Sequence, residues 1–393
     1  MKITGVRTKL FEMTLDRPLG DANSPVGRDR MSSLAVFVDT DDGITGLSLG
    51  APSARGYIHS MVSELLVGRD PRGVRGLWKK MVDFAFKGGN KGVINDAIGA
   101  IDVALWDAKA KANGEPLWKT LGASTRRVKA YASGIDLCLT DEGIAAFYGE
   151  MATKGVSAGK LKVGLDRQSD LRRLGITREV LARSGKPPVL LIDSNEYWSP
   201  KQAIRNIQFL EQHFEITWAE EPARRWDYRG LRKVSEGIRA AVATGENLDD
   251  ISEFMPLVAN GAADVLNIGS GNSGITGALQ IADLAYAFEI PVSMMNCPGN
   301  FMAHLAAALP NHWMMEVVGA GREKVFKKVD NRIEDGWIVL GDSPGLGLEF
   351  DDDTLDKLAV DVPSASSKAS PWGRRRGAGL FEIGPSEPEW PEE

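Results

Sequence analysis

From about residue 128 the chain alternates between short apolar or β-branched runs and segments whose apolar residues recur at helical spacing. The runs are V-K-A-Y-A-S-G (128–134), G-K-L-K-V-G (159–164), V-L-L-I-D (189–193), T-W-A-E (217–220), A-V-A-T-G-E (241–246), V-L-N-I-G (265–269), P-V-S-M-M (291–295) and H-W-M-M-E-V-V (312–318). Helical stretches such as 200–213, 249–259 and 274–288 separate them. Regular strand–helix alternation predicts a parallel sheet, and eight units suggest a closed barrel. The first part of the chain has another texture and reads as α+β. Alternation over 34–50 gives two antiparallel strands joined at Asp42-Gly43. Residues 57 to about 121 look helical, most clearly over 94–111, which stops at Asn113-Gly114, a suitable left-handed terminator. After about 345 the chain leaves the barrel through G-L-G-L-E-F-D-D-D-T-L-D-K-L. The expected division is therefore 1–125, 126–345 and 346–393. Residues 364–393, rich in Ser, Pro, Gly and charge, read as a poorly packed tail whose Arg374-Arg375-Arg376 is a solvated run.

The bulk numbers narrow the class without naming a function. At 393 residues the chain has room for a barrel of about 250 residues and an appendage. A net charge of −6 argues against nucleic acid as the main partner. There is no signal-peptide core and no apolar run long enough for a membrane span, so no membrane partner and a cytoplasmic location are expected. Two cysteines, Cys138 and Cys297, are too few for a disulfide framework.

Chemistry enters at the strand ends. Asp193, Glu220 and Glu246 close three successive predicted strands at spacings of 27 and 26 residues, the pitch of one strand plus one crossover helix. Neighbouring parallel strands in a barrel bring such carboxylates to one point. A doubly wound sheet would not gather carboxylates from so many successive strands. Three oxygen ligands with no Cys or His beside them describe a site for a hard divalent cation, Mg²⁺ above all. Taken singly, Asp193 in D-S-N is also an ordinary turn or cap, and Glu220 and Glu246 have similar readings. One unit earlier, Lys160 and Lys162 stand two apart on a strand and so share a face. Two adjacent ammonium groups disfavour each other's charge, which is expected to lower one pKa toward that of a useful base.

With these residues in view the chain resembles the enolase superfamily, and within it the mandelate racemase-like branch. The resemblance rests on A-I-D-V-A-L-W-D-A-K-A-K (100–111), K-L-K-V-G (160–164), D-S-N (193–195), W-A-E-E-P (218–222), G-E-N (245–247), S-G-I-T-G-A-L-Q-I-A-D-L-A (273–285) and A-H-L-A-A-A-L-P (303–310). It implies a (β/α)7β TIM-like barrel with an α+β capping domain built from the N-terminal segment and the C-terminal return. It also implies Mg²⁺ on Asp193, Glu220 and Glu246, Lys162 as the base with Lys160 tuning it, and Glu316 bonding the substrate carboxylate. Asn195, in the D-S-N motif, is expected to contact substrate. The implied chemistry is removal of the proton α to a carboxylate, giving an enediolate. Its substrate is a small carboxylic acid, and the resemblance favours a homo-oligomer.

The pattern breaks at two strand ends. The branch's Asp–His dyad is replaced by Gly269 on the sixth barrel strand and Asn296 on the seventh. Asn can donate a hydrogen bond but cannot take a proton at neutral pH. His304 lies on an apolar helix and reads as packed, His312 begins the last strand, and neither replaces the missing base. Racemisation needs a group on each face; syn elimination of a β-hydroxyl can use one group as both base and acid. Dehydration of a sugar acid is therefore the first expectation, with Asn296 orienting the substrate. A racemase or other isomerase comes second, and a ligand-binding paralogue without turnover third. The segments 18–30 and 50–57 are expected as loops over the barrel mouth, with Arg28, Arg30 and Arg55 available to substrate oxygens.

Overall fold

In the computed structural model, residues 1–362 are described; the tail expected at 364–393, with Arg374–Arg376, lies outside them. The chain opens with three antiparallel strands, β1 (Ile3–Asp21), β2 (Ser24–Thr40) and β3 (Thr45–Gly50). Helices Arg55–Met61, Val74–Ala85 and Val93–Ala112 follow, the last ending at Asn113 with Gly114 at φ +69°. The predicted loop at 18–30 is instead the far end of the β1–β2 hairpin. The pairing slips there, from Thr14 opposite Arg30 to Leu19 opposite Arg28, and the extra residues include Pro18. Proline has no N–H for the ladder, so it sits where pairing is interrupted.

Eight parallel strands then close a barrel: β4 (Arg127–Ser133), β5 (Ala158–Lys162), β6 (Val189–Asp193), β7 (Ile216–Glu220), β8 (Ala241–Thr244), β9 (Val265–Ile268), β10 (Val292–Met294) and β11 (His312–Val317). Closure is direct, with Glu316 of β11 opposite Tyr131 of β4. Alternate residues point inward, and Tyr131, Leu191, Trp218, Val265 and Met314 fill the barrel's lower interior. Trp218 meets both Tyr131 and Trp313 edge-on at 5.3 Å. That plug leaves only the C-terminal mouth for polar groups.

The N-terminal segment docks at the mouth, and the described return after the barrel locks onto both. At the hairpin tip, Gly20 N donates to Ile135 O (2.8 Å) and Leu137 N to Gly20 O (3.0 Å). Asn23 Nδ2 donates to Asn195 O (2.8 Å), beside a strand-end carboxylate. Buried Asp102 accepts from Thr276 N and Oγ1 at 2.8 and 2.6 Å, pinning helix 93–112 to helix Gly274–Ala287. Asp107 accepts from Leu47 N (2.8 Å) and Leu346 N (2.7 Å), joining β3 to the returning chain. The return itself adds β12 (Phe326–Val329), β13 (Asn331–Glu334), β14 (Trp337–Leu340), β15 (Leu348–Phe350) and a final helix, Asp352–Leu358. Val360 N then donates to Leu10 O of β1 at 3.1 Å. No helix among the described residues is long and apolar enough to cross a membrane.

His304 is packed, as its apolar surroundings suggested. Its Nδ1 accepts from Trp118 N and its Nε2 lies 3.1 Å from Leu346 O, so a neutral ring protonated at Nε2 satisfies both. Burial pushes its pKa down to about 4 from 6.5. The unfolded chain therefore binds a proton that the folded chain refuses between these values. Stability from His304 is full above about pH 6.5 and is lost as pH falls toward 4, on the order of 2 kcal/mol between pH 7 and 5. Urea midpoints at the two pH values should show a smaller difference for His304→Gln than for the parent; an equal difference would refute the assignment.

Candidate active site

The register of the barrel sets Lys162, Asp193 and Glu220 in one row. Lys162 is opposite Asp193 across β5–β6, and Asp193 is opposite Glu220 across β6–β7. Glu246 follows β8 through Gly245, whose φ is +133°. A Cβ there would stand 2.6 Å from Phe254 Cε1 and 2.7 Å from Asn267 O, so this turn takes only glycine. Non-glycine residues in the left-handed region also follow the other two acids: Asn195 (φ +46°), Glu196 (+57°) and Glu221 (+43°). Backbone strain just past two site strands is held by local bonds, among them Asn195 N to Asp193 Oδ1 at 2.8 Å and Glu196 N to Glu221 O at 2.8 Å. The result brings one carboxylate oxygen from each of Asp193, Glu220 and Glu246 within 4.8 Å of one another.

Both lysines face this cluster, and their environments differ. Lys160, fully buried, contacts Glu220 Oε1, lies 3.0 Å from Glu316 Oε1 and 3.5 Å from Asp193 Oδ2. Lys162 has 5% exposure and one ion pair, to Asp193 Oδ2 at 2.5 Å. Its backbone is clamped, the N–H donating to Asp136 Oδ1 (3.0 Å) and the carbonyl accepting from Arg173 Nη1 (2.8 Å). The expected lowering of a lysine pKa is reversed in this arrangement. Burial and Lys160 do act to lower Lys162, but Asp193, Glu246 and Glu220 outweigh them and raise it. Lys160 is likewise raised well above its usual range: burial opposes its charge, but Glu220, Glu316 and Asp193 outweigh that. Spacing along a strand showed the two ammonium groups as neighbours, but not the carboxylates that each of them contacts.

Glu316 and Asn296 meet on the opposite wall. Asn296 gives both its N–H (3.2 Å) and its Nδ2 (2.5 Å) to Glu316 Oε2, while Arg322 Nη1 donates to Asn296 Oδ1 at 2.6 Å. Burial disfavours charge on Glu316, yet Lys160, Lys162 and the Asn296 bond together hold its pKa down to about 2. Asn195 lies at the cluster, its Nδ2 3.5 Å from Glu246 Oε1. Arg28, Arg30 and Arg55 are all exposed, and Arg30 pairs with Glu12 at 3.3 Å. No contact joins any of the three to the carboxylate cluster. A groove of about 810 Å³ between helix Asp141–Thr153 and residues 317–333 lies to one side of the cluster and includes none of its carboxylates or lysines.

The cluster suits a hard divalent cation on grounds of its own chemistry. All three donors are carboxylates, and Glu220 Oε2 is buried without a hydrogen-bond partner. Burial raises the Glu220 carboxyl well above its usual range; Lys160 opposes this, and the charges of Asp193, Glu246 and Glu316 add to it. Convergent buried negative charge of this kind is relieved by a cation with oxygen preference.

Two residues at the mouth were not singled out from the sequence. Arg17 of β1 bonds Gly134 O and, at 2.9 Å, Val318 O, and lies over the Phe147 ring at 4.3 Å. Arg322, 8% exposed, follows Gly319-Ala320-Gly321, all three in the left-handed region. Its place directly after the last barrel strand was the available signal, since loops at that end of a barrel line the mouth.

Comparison with known proteins agrees with the geometry. Residues 143–354 match the family model described as enolase C-terminal domain-like. Residues 7–122 match the mandelate racemase / muconate lactonizing enzyme N-terminal domain. Among relatives, 3,6-anhydro-alpha-L-galactonate cycloisomerase of Streptomyces coelicolor is 30% identical over 91% of this chain and 99% of its own. L-talarate/galactarate dehydratase of Salmonella typhimurium is 31% identical over 88% of each chain. The solved structure of that dehydratase, liganded with Mg and L-lyxarohydroxamate, superposes with a TM-score of 0.82 at 27% identity, covering 91% of this chain and 93% of that one. With both domains matched and the barrel, cap and strand-end carboxylates in place, the chain belongs to the mandelate racemase / muconate lactonizing enzyme family of the enolase superfamily.

Proposed function

We propose that this protein is a Mg²⁺-dependent sugar-acid dehydratase that uses Lys162 as its single base. The observation that carries the reading is the one-sidedness of the mouth: two lysines at the end of β5, and Asn296 and Gly269 where a second proton-transfer group would stand. Asp193, Glu220 and Glu246 would hold the cation, which, when bound, supplies Lewis-acid stabilisation for the charge that develops on an enolised carboxylate. Lys162 takes the α-proton as the neutral amine, a form that a bound cation would favour by offsetting the charges of Asp193, Glu246 and Glu220 that otherwise raise its pKa; of the two lysines it has the fewer ion pairs. Lys160, enclosed by three carboxylates, keeps its proton and holds Glu316 and Glu220 in place. Lys162 then returns the proton to the departing β-hydroxyl on the same face, so one group serves as base and acid. Asn296, its Oδ1 held by Arg322 and one Nδ2 hydrogen given to Glu316, presents its other amide hydrogen to the substrate from the opposite wall. Glu316 is kept ionised by Lys160 and so accepts rather than donates hydrogen bonds.

The test is a panel of sugar acids incubated with the Mg²⁺-loaded protein and assayed for 2-keto-3-deoxy acids. At least one should give a keto product, and none should do so once the metal is chelated. A second reading, isomerisation through the same enolised acid, is favoured by the likeness to a cycloisomerase. It predicts a product of unchanged mass, which the same assay by mass spectrometry distinguishes. Absence of any product or α-proton exchange across the panel would support a binding protein instead.

A further inference from the structure

A buried guanidinium with no ion pair among the described residues stands at the mouth. Arg322 is 8% exposed, and no carboxylate among the described residues forms an ion pair with it. Its Nε donates to Gly319 O (3.1 Å) and its Nη1 to Asn296 Oδ1 (2.6 Å), two neutral acceptors that set the plane of the group. Nη2 makes no hydrogen bond among the described residues. The loop that carries it is held from the cap, with Asp16 N donating to Ala320 O at 3.0 Å. Arg17, the next residue of that strand, brings a second guanidinium to the same region, and both line the larger groove. Burial depresses the pKa of each, and Arg322 adds to the effect at Arg17. Two cations desolvated this far, with neutral partners only at Arg322, constitute a standing cost that an anion would offset.

Arg322 also lines a smaller groove of 220 Å³ between the cap and the loops after β9 and β10. Its wall carries Ser32, Ser33, Ala51, Ser270 and Pro298, with Asp96 on the cap side. Three contacts of 2.6, 2.5 and 3.0 Å run from Arg322 through Asn296 and Glu316 to Lys160, which itself touches two of the three clustered acids. A sugar acid held at the cluster by one carboxylate thus has hydroxyl-bearing walls beside it and a cation along the Asn296 wall. Asp96 would repel a second carboxylate at the cap side, so the charge belongs at the Arg322 end.

We infer that Arg322 is a specificity residue whose free Nη2 binds a second carboxylate of the substrate, selecting aldaric over aldonic acids. This rests on the sugar-acid reading for its substrate class, but not on turnover. A guanidinium already aligned by two bonds loses little freedom on binding a carboxylate, so discrimination of about tenfold or more is expected.

Calorimetric titration of Mg²⁺-loaded protein with matched hexaric and hexonic acids, over several configurations, tests it. The parent should bind the best diacid at least about tenfold more tightly than its monoacid counterpart. Arg322→Met should abolish that preference, weakening the diacid about tenfold more than the monoacid because any loosening of Asn296 acts on both alike, and Arg322→Lys should keep part of it. No preference in the parent, or a parent that binds no diacid at all, overturns the inference without any variant. Equal weakening of both acids in Arg322→Met also overturns it, because a role confined to holding Asn296 would act on both alike. Diacid selection by binding without keto product would leave the inference standing and remove the dehydratase reading. Turnover of both acids with equal efficiency, unaffected by Arg322→Met, would do the reverse.

Discussion

Lys162→Ala is expected to reduce dehydration by roughly 10² to 10⁴-fold, the range a positioned general base contributes. Metal affinity should hold, because Asp193, Glu220 and Glu246 remain and the substitution removes the cation that competes for Asp193 Oδ2. The loss should fall on kcat, since the proton is taken in the transition state and ground-state binding does not depend on it. Lys160→Ala should behave differently. It deprives Glu220, Glu316 and Asp193 of a shared, fully buried counter-charge, so it should lower thermal stability as well as activity. Melting curves run beside the kinetics separate the two lysines. Equal destabilisation by both, or near-normal turnover by Lys162→Ala, would show that the base has been assigned to the wrong residue.

Removal of one clustered carboxylate should be nearly as costly. Glu246→Gln is the cleanest choice, because among the described residues Glu246 forms no ion pair with either lysine and its side chain is bonded only by Asn195, at 3.5 Å. Loss of an outer partner alone costs roughly 10- to 100-fold in metal affinity, so loss of a direct donor should exceed that. Turnover should vanish at Mg²⁺ concentrations that saturate the parent and return in part at higher ones. The fold should not suffer: without metal, the variant carries one carboxylate fewer beside Asp193 and Glu220, and its Tm should match or exceed the parent's. Titration of Mg²⁺ by calorimetry, with melts in chelator, checks both statements. Unchanged affinity would remove Glu246 from the metal site.

The barrel was legible because its strands are short apolar runs closed by a charge, and that contrast survives in one dimension. The runs 189–193 and 217–220 correspond to strands Val189–Asp193 and Ile216–Glu220, and the acids stand at their ends. The long hairpin was not legible over 18–30. Pro18, Gly20 and Asn23 are turn formers, yet here they serve a pairing slip and a tip that docks on the barrel. That docking is a tertiary fact with no local trace. Lysine electrostatics failed for a related reason: sequence shows that Lys160 and Lys162 share a face, while Glu316 arrives beside Lys160 only when β11 closes against β4. Arg322 was missed because an arginine in a G-A-G-R turn has no motif; its meaning comes from Asn296, which follows the preceding barrel strand 26 residues earlier.

A single reaction in D₂O tests the central claim, that proton transfer at this mouth is one-sided. Mg²⁺-loaded protein is incubated with a reactive sugar acid, and product and recovered substrate are read by NMR and mass spectrometry. One-sided transfer gives a 2-keto-3-deoxy acid, with any deuterium in recovered substrate entering at C2 with retained configuration. Recovered acid that carries deuterium with C2 inverted, and no keto product, would contradict it.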